Sequence, residues 1–409
     1  VNRYQKILLR PTKSQELLFR GSAGLSRFSW NWGLAIWRRY YSRFGKPIGA
    51  MRLNKFWNKI KKRKPGLNWV SGYSKHIAQD TFRNLESAFL RAAKSAKSGG
   101  RLGFPRFHKK GQKDSFQVVP SKQFGLSIYG KKIHIPKIGR VRFQGELRWP
   151  EGTQTVGRVK LHAGRWYLFL AYDLPDLPKL TDDRPSCGID LGCKTFATIV
   201  SNGQLVQSVE PPKPYAKAKR KLGRLQRIVS RRKKGSKRRE KAKLKVARLH
   251  KHIADIRSNF LHQLTSRIVK SYGTIVIEDL SVSGMAKGML SGTVHDLGFA
   301  EFRHQLEYKS EAAGSAIVLA DRFFPSSKTC SSCGEIKPNL GMHERAWVCT
   351  CGTHHDRDVN AAINLENIGK IPRSAGKSTT AESRGSTGSS ARVPTQRSSN
   401  TKRAKAQMR

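Results

Sequence analysis

The chain begins with alternating apolar and polar positions and then changes to a helical pattern. Residues 1–10 alternate as a strand does, and Ser14, Gln15 and Glu16 open a helix-rich region that continues to about residue 100. Shorter alternating segments separated by glycine-containing turns predict strands at residues 131–135, 140–143, 156–161 and 165–172. This order predicts a small β-barrel interrupted by a helical insertion.

The pattern changes again after a linker rich in proline and aspartate at residues 174–185. Residues 187–192 and 274–280 predict near-continuous apolar strands that end in the carboxylates Asp190 and Glu278. A hairpin is expected at 196–209, helices at 299–313 and 359–368, and a strand at 316–320. The chain is therefore predicted to be an α+β protein with several domains.

Between these strands, residues 217–251 carry Lys or Arg at about half of their positions, on a helical pattern broken near Gly235 and Ser236. Apolar residues keep helical spacing as far as Ile268, which predicts a long helical hairpin with one apolar stripe and one basic face. The basic face could be merely solvated. We favour contact with phosphates, with Arg231, Arg232, Lys233 and Lys234 as candidates.

The composition favours a polyanionic partner. The chain has 80 Lys and Arg against 27 Asp and Glu, a formal net charge of +53 on 409 residues. Nucleic acid would cover such a charge. A membrane surface would attract it too, but the longest apolar run, residues 166–172, is typical of a strand. The first residues contain no apolar signal core, so we expect an intracellular protein.

Four of the six cysteines, Cys330, Cys333, Cys349 and Cys351, cluster at the spacing of metal ligands. A structural zinc ion is therefore expected, and a disulfide framework is not. The second pair is one residue shorter than Cys-x-x-Cys, so His354 is an alternative fourth ligand to a cysteine. His355 is interpreted as a residue near the catalytic site and not as a ligand. Cys187 and Cys193, the remaining two, are expected to be buried as small apolar side chains.

Carboxylates at strand ends from separated parts of a chain are what a phosphodiester nuclease with two Mg²⁺ ions needs. Asp190 and Glu278 are two candidates, and the third is Asp356 or Asp358, ahead of the last predicted helix. Each alone is a weak signal, because such residues often end turns or cap helices. Next to a thiolate cluster and a large basic surface, they favour a nuclease.

At these residues the chain resembles the TnpB family, transposon-encoded relatives of type V CRISPR effector nucleases. The main matches are residues 188–192, 277–280 and 325–334, and the segment His-Asp-Arg-Asp-Val-Asn-Ala-Ala at 355–362. Residues 103–107 and 231–236 also resemble family segments, and the similarity spans about residues 1–368.

The resemblance implies a RuvC-like nuclease with an RNase H fold and two catalytic Mg²⁺ ions. It implies that Asp190, Glu278 and Asp358 form the catalytic triad, and it selects Asp358 over Asp356. It also implies a guide RNA from the transposon end that pairs with target DNA, while the protein reads a short adjacent motif. Lys75 and Gln79 would lie on the motif-reading helix, although both could be ordinary surface residues.

The resemblance also divides the chain into parts. The expected parts are a wedge β-barrel (1–10 and 101–180), a helical recognition insertion (11–100), a RuvC-like domain (181–325 and 354–370) with a basic hairpin (217–270), a zinc knuckle (326–353), and a basic tail (371–409). The tail has almost no apolar residues, which predicts disorder.

The function predicted from these features is RNA-guided, Mg²⁺-dependent cleavage of double-stranded DNA next to a short motif. One alternative is an RNA-guided repressor that binds without cutting, which the presence of all three carboxylates argues against. Another is a guide-independent RuvC-like nuclease or transposase. We expect a monomer with its RNA in the prokaryotic cytoplasm, associated with the nucleoid when bound to DNA.

Overall fold

A computed structural model describes residues 2–99, 103–112, 114–119, 126–149, 153–175, 180, 183–288, 291–341 and 343–370. The tail predicted at residues 371–409 lies outside the described residues. Residues Val1–Lys370 belong to one compact unit.

The amino-terminal half is built on an antiparallel sheet of seven strands. They are β1 (Asn2–Arg10), β2 (Ser115–Val118), β3 (Ile128–Tyr129), β4 (Lys132–Ile135), β5 (Gly139–Gln144), β6 (Thr153–His162) and β7 (Arg165–Asp173). Their order is β2-β6-β7-β1-β5-β4-β3, so the first strand lies in the centre. In the described residues the short strands β2 and β3 form the two edges. In the described part of the chain the sheet is a half-barrel, where the sequence predicted a small β-barrel.

A helical segment separates β1 from β2, as the sequence pattern predicted. It consists of α1 (Lys13–Phe44), α2 (Ala50–Arg63), a 3-10 helix (Pro65–Gly72) and α3 (His76–Lys97). Thr12 and Gln15 form a reciprocal capping box that begins α1. Phe19 on α1 packs edge-on against Phe116 and Trp166 of the sheet, which joins helices and sheet in one hydrophobic core.

The second sheet has five strands in the order β10-β9-β8-β11-β12. They are β8 (Ser186–Leu191), β9 (Ala197–Ser201), β10 (Gln204–Val209), β11 (Thr274–Glu278) and β12 (Ala316–Ala320). Strands β8, β11 and β12 are parallel, whereas β9 and β10 form an antiparallel hairpin beside β8. A two-stranded ribbon of β13 (Ala346–Val348) and β14 (His354–Asp356) lies later in the chain.

Helices lie on both faces of this sheet. They are α4 (Pro214–Ser230), α5 (Lys237–Ser271), α6 (Val282–Met285), α7 (Ser291–Leu297), α8 (Phe299–Ala313) and α9 (Arg357–Lys370). Ile189 and Ile277 pack in one cluster with residues of α5 and α8, whereas Val276 packs with Leu365 of α9. Because successive strand residues point to opposite faces, the sheet has an α5/α8 face and an α9 face.

Helices α4 and α5 form the predicted hairpin, with the break at Gly235. Asp296 accepts hydrogen bonds from the backbone N–H groups of Tyr215 and Ala216 and so caps α4. The predicted apolar stripe is only partly buried, because Ile253 is buried but Ile256 is exposed. In the described part of the chain, no helix is both long enough and apolar enough to cross a membrane.

Candidate active site and metal centre

Asp190 lies on the α9 face of the sheet, at the carboxyl end of β8. Its position follows from Gly188, two residues earlier on the same face. A Cβ atom added at Gly188 would lie 2.0 Å from the backbone oxygen of Ala362 and 2.4 Å from the backbone nitrogen of Glu366. Helix α9 therefore packs directly on the β8 backbone, and only glycine leaves room for it. Asp190 points to the same side, towards the start of α9.

Glu278 reaches the same face by the same geometry on β11. Val276, two residues earlier, contacts α9, since a Cβ added at Gly369 would lie 2.7 Å from the Cγ2 atom of Val276. Strands β8 and β11 are parallel neighbours, with Ile189 opposite Ile277. Asp190 and Glu278 directly follow that pair, so both carboxylates lie at the carboxyl ends of neighbouring parallel strands.

The two aspartates at the start of α9 have different roles. Asp356 Oδ1 accepts hydrogen bonds of 3.0 Å from the backbone nitrogens of Asp358 and Val359, so Asp356 is the helix cap. Asp358 lies in the first turn of α9, where its Oδ1 accepts a 2.9 Å hydrogen bond from Arg345. This difference separates two residues that spacing alone could not distinguish.

Asp190 interacts electrostatically with both of the other carboxylates. Burial raises the pKa of Asp190 from 3.8 to about 8, and the negative charges of Glu278 and Asp358 add to the rise. The guanidinium groups of Arg357 and Arg345 oppose it. A divalent cation would stabilise carboxylates that repel one another in this way, because Arg345 and Arg357 offset their negative charge only in part.

A cleft of about 380 Å³ opens beside Glu278 and is lined by residues that follow β11 and β12. At its wall, the hydroxyl of Ser326 donates a 2.6 Å hydrogen bond to Glu278 Oε1. Asp279, the neighbour of Glu278, is instead held by Arg303 and Arg322. Asp279 is therefore occupied by ion pairs on the protein surface, whereas Glu278 faces the other carboxylates.

The four clustered cysteines come together in the second part of the site. One ligand atom from each of Cys330, Cys333, Cys349 and Cys351 lies within 4.8 Å of the others. The sulfur atoms of Cys330 and Cys351 are 3.8 Å apart, and those of Cys333 and Cys349 are 3.6 Å apart. A tetrahedral zinc site with bonds of about 2.3 Å has sulfur–sulfur edges of about 3.8 Å. The donor set therefore fits zinc.

Each cysteine pair forms a tight turn that ends in a left-handed glycine. Gly334 follows the first pair and donates to the carbonyl of Cys330, and Gly352 follows the second and donates to the carbonyl of Cys349, both at 2.9 Å. Their φ angles are +81° and +84°, a conformation that favours glycine. The second turn is one residue shorter yet brings both thiols to the cluster, so the short spacing is compatible with four sulfur ligands.

The neighbouring histidines take different positions. His354 is exposed and lies outside the group of four thiols. His355 is buried, and its Nε2 atom lies 3.0 Å from Cys330 Sγ while its ring packs against Trp347. His355 therefore contacts the sulfur of Cys330 without being one of the four clustered ligands, and residues that contact metal ligands in this way commonly orient them.

The predicted nucleic-acid residues lie elsewhere. Arg231, Arg232, Lys233 and Lys234 are all exposed at the tip of the α4–α5 hairpin. Lys75 and Gln79 line a cleft of about 820 Å³ between the helical segment and the turn after β4. Lys75 is exposed at the start of α3, and Gln79 pairs with His76. None of these six residues lines the cleft beside Glu278.

Several residues of the site were not identified from sequence. Glu366 is fully buried and accepts hydrogen bonds from the backbone nitrogens of Asn202 and Gly203, which fixes the β9–β10 turn to α9. Ser326 and Arg345 contact the carboxylates directly. Asn360 and Asn364 are buried in α9, and their spacing of four residues was a usable signal. Asparagine is unfavourable inside helices, so two on one helix face indicate tertiary contacts.

Cysteines outside the cluster differ in burial. Cys187 is fully buried, as predicted, and burial strongly raises the pKa of its thiol. Cys193 is half-buried and packs against the hydrophobic core between the second sheet and its helices, so it is less buried than predicted.

Three family models match the chain. One described as "Probable transposase" matches residues 169–289, and one described as "Cas12f1-like, TNB domain" matches residues 299–365. A third, described as "Helix-turn-helix domain", matches residues 1–46, which here form β1 and the single long helix α1. The first two matches cover Asp190, Glu278, Asp358 and the thiol cluster.

Similar proteins cover most of the chain. A protein of Streptomyces pristinaespiralis named "Putative RNA-guided DNA endonuclease" is 35% identical over 325 residues, 77% of this chain and 76% of that protein. The Escherichia coli K12 protein "Putative RNA-guided DNA endonuclease InsQ" is 30% identical over 391 residues, 91% and 93% of the two chains.

Among solved structures, the chain is similar to the protein of a Cas12f1-sgRNA-target DNA complex, with a TM-score of 0.54 and 14% identity. The match covers 90% of this chain and 99% of that chain. At this identity the similarity is one of fold, and it gives the chain a Cas12-like architecture.

Proposed function

This chain belongs to the TnpB family, and from that membership we propose that it is an RNA-guided, Mg²⁺-dependent endonuclease of double-stranded DNA. The observation that carries the proposal is that Asp190 and Glu278 lie at the carboxyl ends of two neighbouring strands on the α9 face of one sheet, while Asp358 lies in the first turn of α9. Both relatives described above are named as RNA-guided DNA endonucleases, which supports the same class of activity.

The proposed catalytic centre consists of these three carboxylates. Their oxygen atoms suit Mg²⁺, and the pKa of Asp190 is raised by burial and by the negative charges of the other two carboxylates, which Arg357 and Arg345 offset only in part. Bound Mg²⁺ ions would activate water and stabilise the leaving oxygen of a phosphodiester. The chain's own residues orient the carboxylates, since Ser326 holds one oxygen of Glu278 and α9 carries Asp358.

The architecture proposed for this part is RuvC-like, with an RNase H fold. It is supported by the strand order, in which the antiparallel β8–β9–β10 unit is extended by the parallel strands β11 and β12. The amino-terminal half-barrel and its helical segment would be the wedge and recognition parts. The cysteine cluster would hold one structural zinc ion through Cys330, Cys333, Cys349 and Cys351.

The proposed partners are a guide RNA from the transposon end and a double-stranded DNA target. The net charge of +53 supports binding of long polyanions. In this proposal guide pairing selects the target, and Lys75 and Gln79, in the 820 Å³ cleft, contact the short adjacent motif. The tip of the α4–α5 hairpin would contact RNA phosphates. One protein copy would act with one RNA in the prokaryotic cytoplasm.

The test begins with the RNA that copurifies with the protein, which is sequenced and matched to a plasmid target. The decisive pair of variants is Asp358→Asn and Asp356→Asn. Asparagine caps helices as well as aspartate does, so the second variant removes a charge and keeps the cap. We expect the first to lose cleavage and the second to retain it.

Three results would point elsewhere. Cleavage of plasmid by RNA-free protein would favour a guide-independent nuclease. Guided binding with no cleavage by the unmodified protein in Mg²⁺ would favour a repressor. Equal cleavage by the Asp358→Asn variant and the unmodified protein would remove Asp358 from the catalytic centre.

A further inference from the structure

Two buried asparagines of α9 hold the loop that leads into the cysteine cluster. Asn360 donates to the carbonyl of Thr329 at 2.7 Å and accepts from the backbone nitrogen of Ser331 at 2.9 Å. Asn364 donates to the carbonyls of Ser326 and Thr329 at 2.8 and 2.6 Å. The two asparagines are 1% and 6% exposed, so a lost bond would leave a backbone group unpaired away from water.

This loop contacts both parts of the site. At its start, Ser326 is 5% exposed and donates its hydroxyl to Glu278 Oε1 at 2.6 Å. At its end, Cys330 contributes a thiol to the cysteine cluster. The helix that holds the loop also carries Asp358. One short segment therefore joins a carboxylate, a thiol and the helix of the third carboxylate.

We propose that Ser326, Asn360 and Asn364 are positioning residues that couple metal binding by the cysteines to metal binding by the carboxylates. The inference rests on the proposed function, which assigns the carboxylates to Mg²⁺. When all four thiols bind a metal ion, Cys330 is held in place. The hydrogen bonds of Asn360 and Asn364 then hold the rest of the loop, including Ser326, in one conformation. The Ser326 hydroxyl then holds one oxygen of Glu278 and leaves the other free for a cation.

Loss of the thiolate-bound metal frees Cys330, loosens residues 326–331 and withdraws the hydroxyl from Glu278. The carboxylates then bind a divalent cation less tightly. Coupling of two binding equilibria is reciprocal, so a cation at the carboxylates must also raise the affinity of the cysteines for zinc. Contacts outside a metal's own ligands commonly change metal affinity about 10-fold or more.

The first experiment measures Mn²⁺ binding to the full-length, zinc-loaded protein with its copurifying RNA. Free Mn²⁺ is followed by paramagnetic resonance, and the signal of the Asp190→Asn variant with the same RNA is subtracted, because RNA also binds Mn²⁺. We expect Ser326→Ala to bind about 10-fold more weakly, with unchanged zinc content. Ser326→Thr keeps a hydroxyl and should recover most of the affinity.

The matched control is Ser331→Ala. It removes a hydroxyl from the same loop but keeps the backbone N–H that bonds Asn360. Its Mn²⁺ affinity should equal that of the unmodified protein. This readout needs neither target DNA nor cleavage.

The second experiment measures zinc affinity by competition with a chromogenic chelator, with and without Mg²⁺. We expect saturating Mg²⁺ to raise zinc affinity about 5-fold in the unmodified protein and in Ser331→Ala. In Asn364→Ala the increase should disappear. If Asn364→Ala fails to fold, Ser326→Ala tests the same coupling, because it keeps the carbonyl that Asn364 bonds.

Equal Mn²⁺ affinity for Ser326→Ala and the unmodified protein would overturn the inference. It would also be overturned if the zinc affinity of the unmodified protein were the same with and without Mg²⁺. Failure of the proposed function would look different. In that case Asp190→Asn would still cleave and would bind as much Mn²⁺ as the unmodified protein.

Discussion

The cysteine cluster and the carboxylate cluster are neighbours but are built in different ways. The four thiols come from two tight turns of one short segment, each shaped by a glycine at positive φ. The three carboxylates come from β8, β11 and α9, which are far apart in the chain. The first site depends on local backbone geometry, and the second on the packing of α9 against the sheet.

This difference is reflected in the pKa values of the ionisable groups at the two sites. Thiols can remain protonated or bind zinc, and Thr353 lowers the pKa of the Cys351 thiol to about 6 through its hydroxyl and its backbone N–H. The fold holds the carboxylates near one another, and burial together with the neighbouring negative charges strongly raises the pKa of Asp190. A site made by long-range packing can hold repelling groups together because the rest of the core stabilises it.

The largest effect is expected for the carboxylates. Asp190→Ala should lower the cleavage rate at least about 1,000-fold, or about 4 kcal/mol in the barrier, because a metal-bridging oxygen donor is lost. Guided DNA binding should change little, because affinity comes from the basic surface and pairing. Cleavage and binding assays on the same preparation measure both. Full cutting in Mg²⁺ would end the assignment of Asp190.

The packing that builds the carboxylate site can be broken without touching a carboxylate. Gly188→Ala should destabilise the protein by about 3 kcal/mol, because the new methyl group meets the backbone of α9. Chemical denaturation measures this change. The matched control is Gly223→Ala, in α4 where a Cβ meets open space, which should stabilise by about 0.5–1 kcal/mol. Equal stability of the two variants would contradict the packing of α9 on β8.

The cysteine site should respond locally. Cys330→Ser should reduce bound zinc from about one ion per protein to well below one and speed amide exchange over residues 326–353, because zinc and fold are coupled there. Elemental analysis and hydrogen exchange measure the two effects. His354→Ser should keep its zinc, since His354 lies outside the cluster. Zinc loss in that variant would instead favour a mixed set of ligands, and purified protein without zinc would refute the site.

A smaller effect concerns pH in the metal-free protein. Because the folded pKa of Asp190 is raised from 3.8 to about 8, its protonated form stabilises the fold below about pH 4. That contribution is lost as the pH rises to about 8. The Asp190→Asn variant has no such loss, so its melting temperature should exceed that of the unmodified protein by a few degrees at pH 8 in a chelator. A difference that does not grow between pH 5 and 8 would contradict the raised pKa.

The smallest effect lies outside both clusters, on the basic hairpin. Changing Arg231, Arg232, Lys233 and Lys234 to Gln should weaken RNA binding several-fold and equally for all guides, because phosphates carry no sequence information. The slope of log affinity against log salt should become shallower by about 0.7 to 0.9 per lost contact.

The control for this variant removes equal charge elsewhere, by changing the exposed cations Arg83, Arg91, Lys94 and Lys97 of α3 to Gln. Backbone footprinting on the RNA completes the measurement. If both variants change the slope alike and leave the footprint intact, the hairpin is only part of a general basic surface.

Much of the fold was predictable because its signals are local. Helix α8 and strand β12 have the predicted bounds, and the hairpin of β9 and β10 lies within the predicted range 196–209. The sequence predicted a small β-barrel but not how far it closes, because closure depends on pairing between distant strand edges, which alternation within one strand does not report. Whether Asp356 or Asp358 faces the site was open from spacing, because both lie in one helix turn.

The sequence by itself determined the basic charge, the family, the spacing of the four cysteines and the strands that end in Asp190 and Glu278. These depend on residue identity and on contacts within a few residues. Only the tertiary structure decided that Gly188 admits helix α9 and that Ser326 holds Glu278. Both contacts join residues far apart in the chain, and the periodicity of the sequence does not reveal them because they arise from packing between elements.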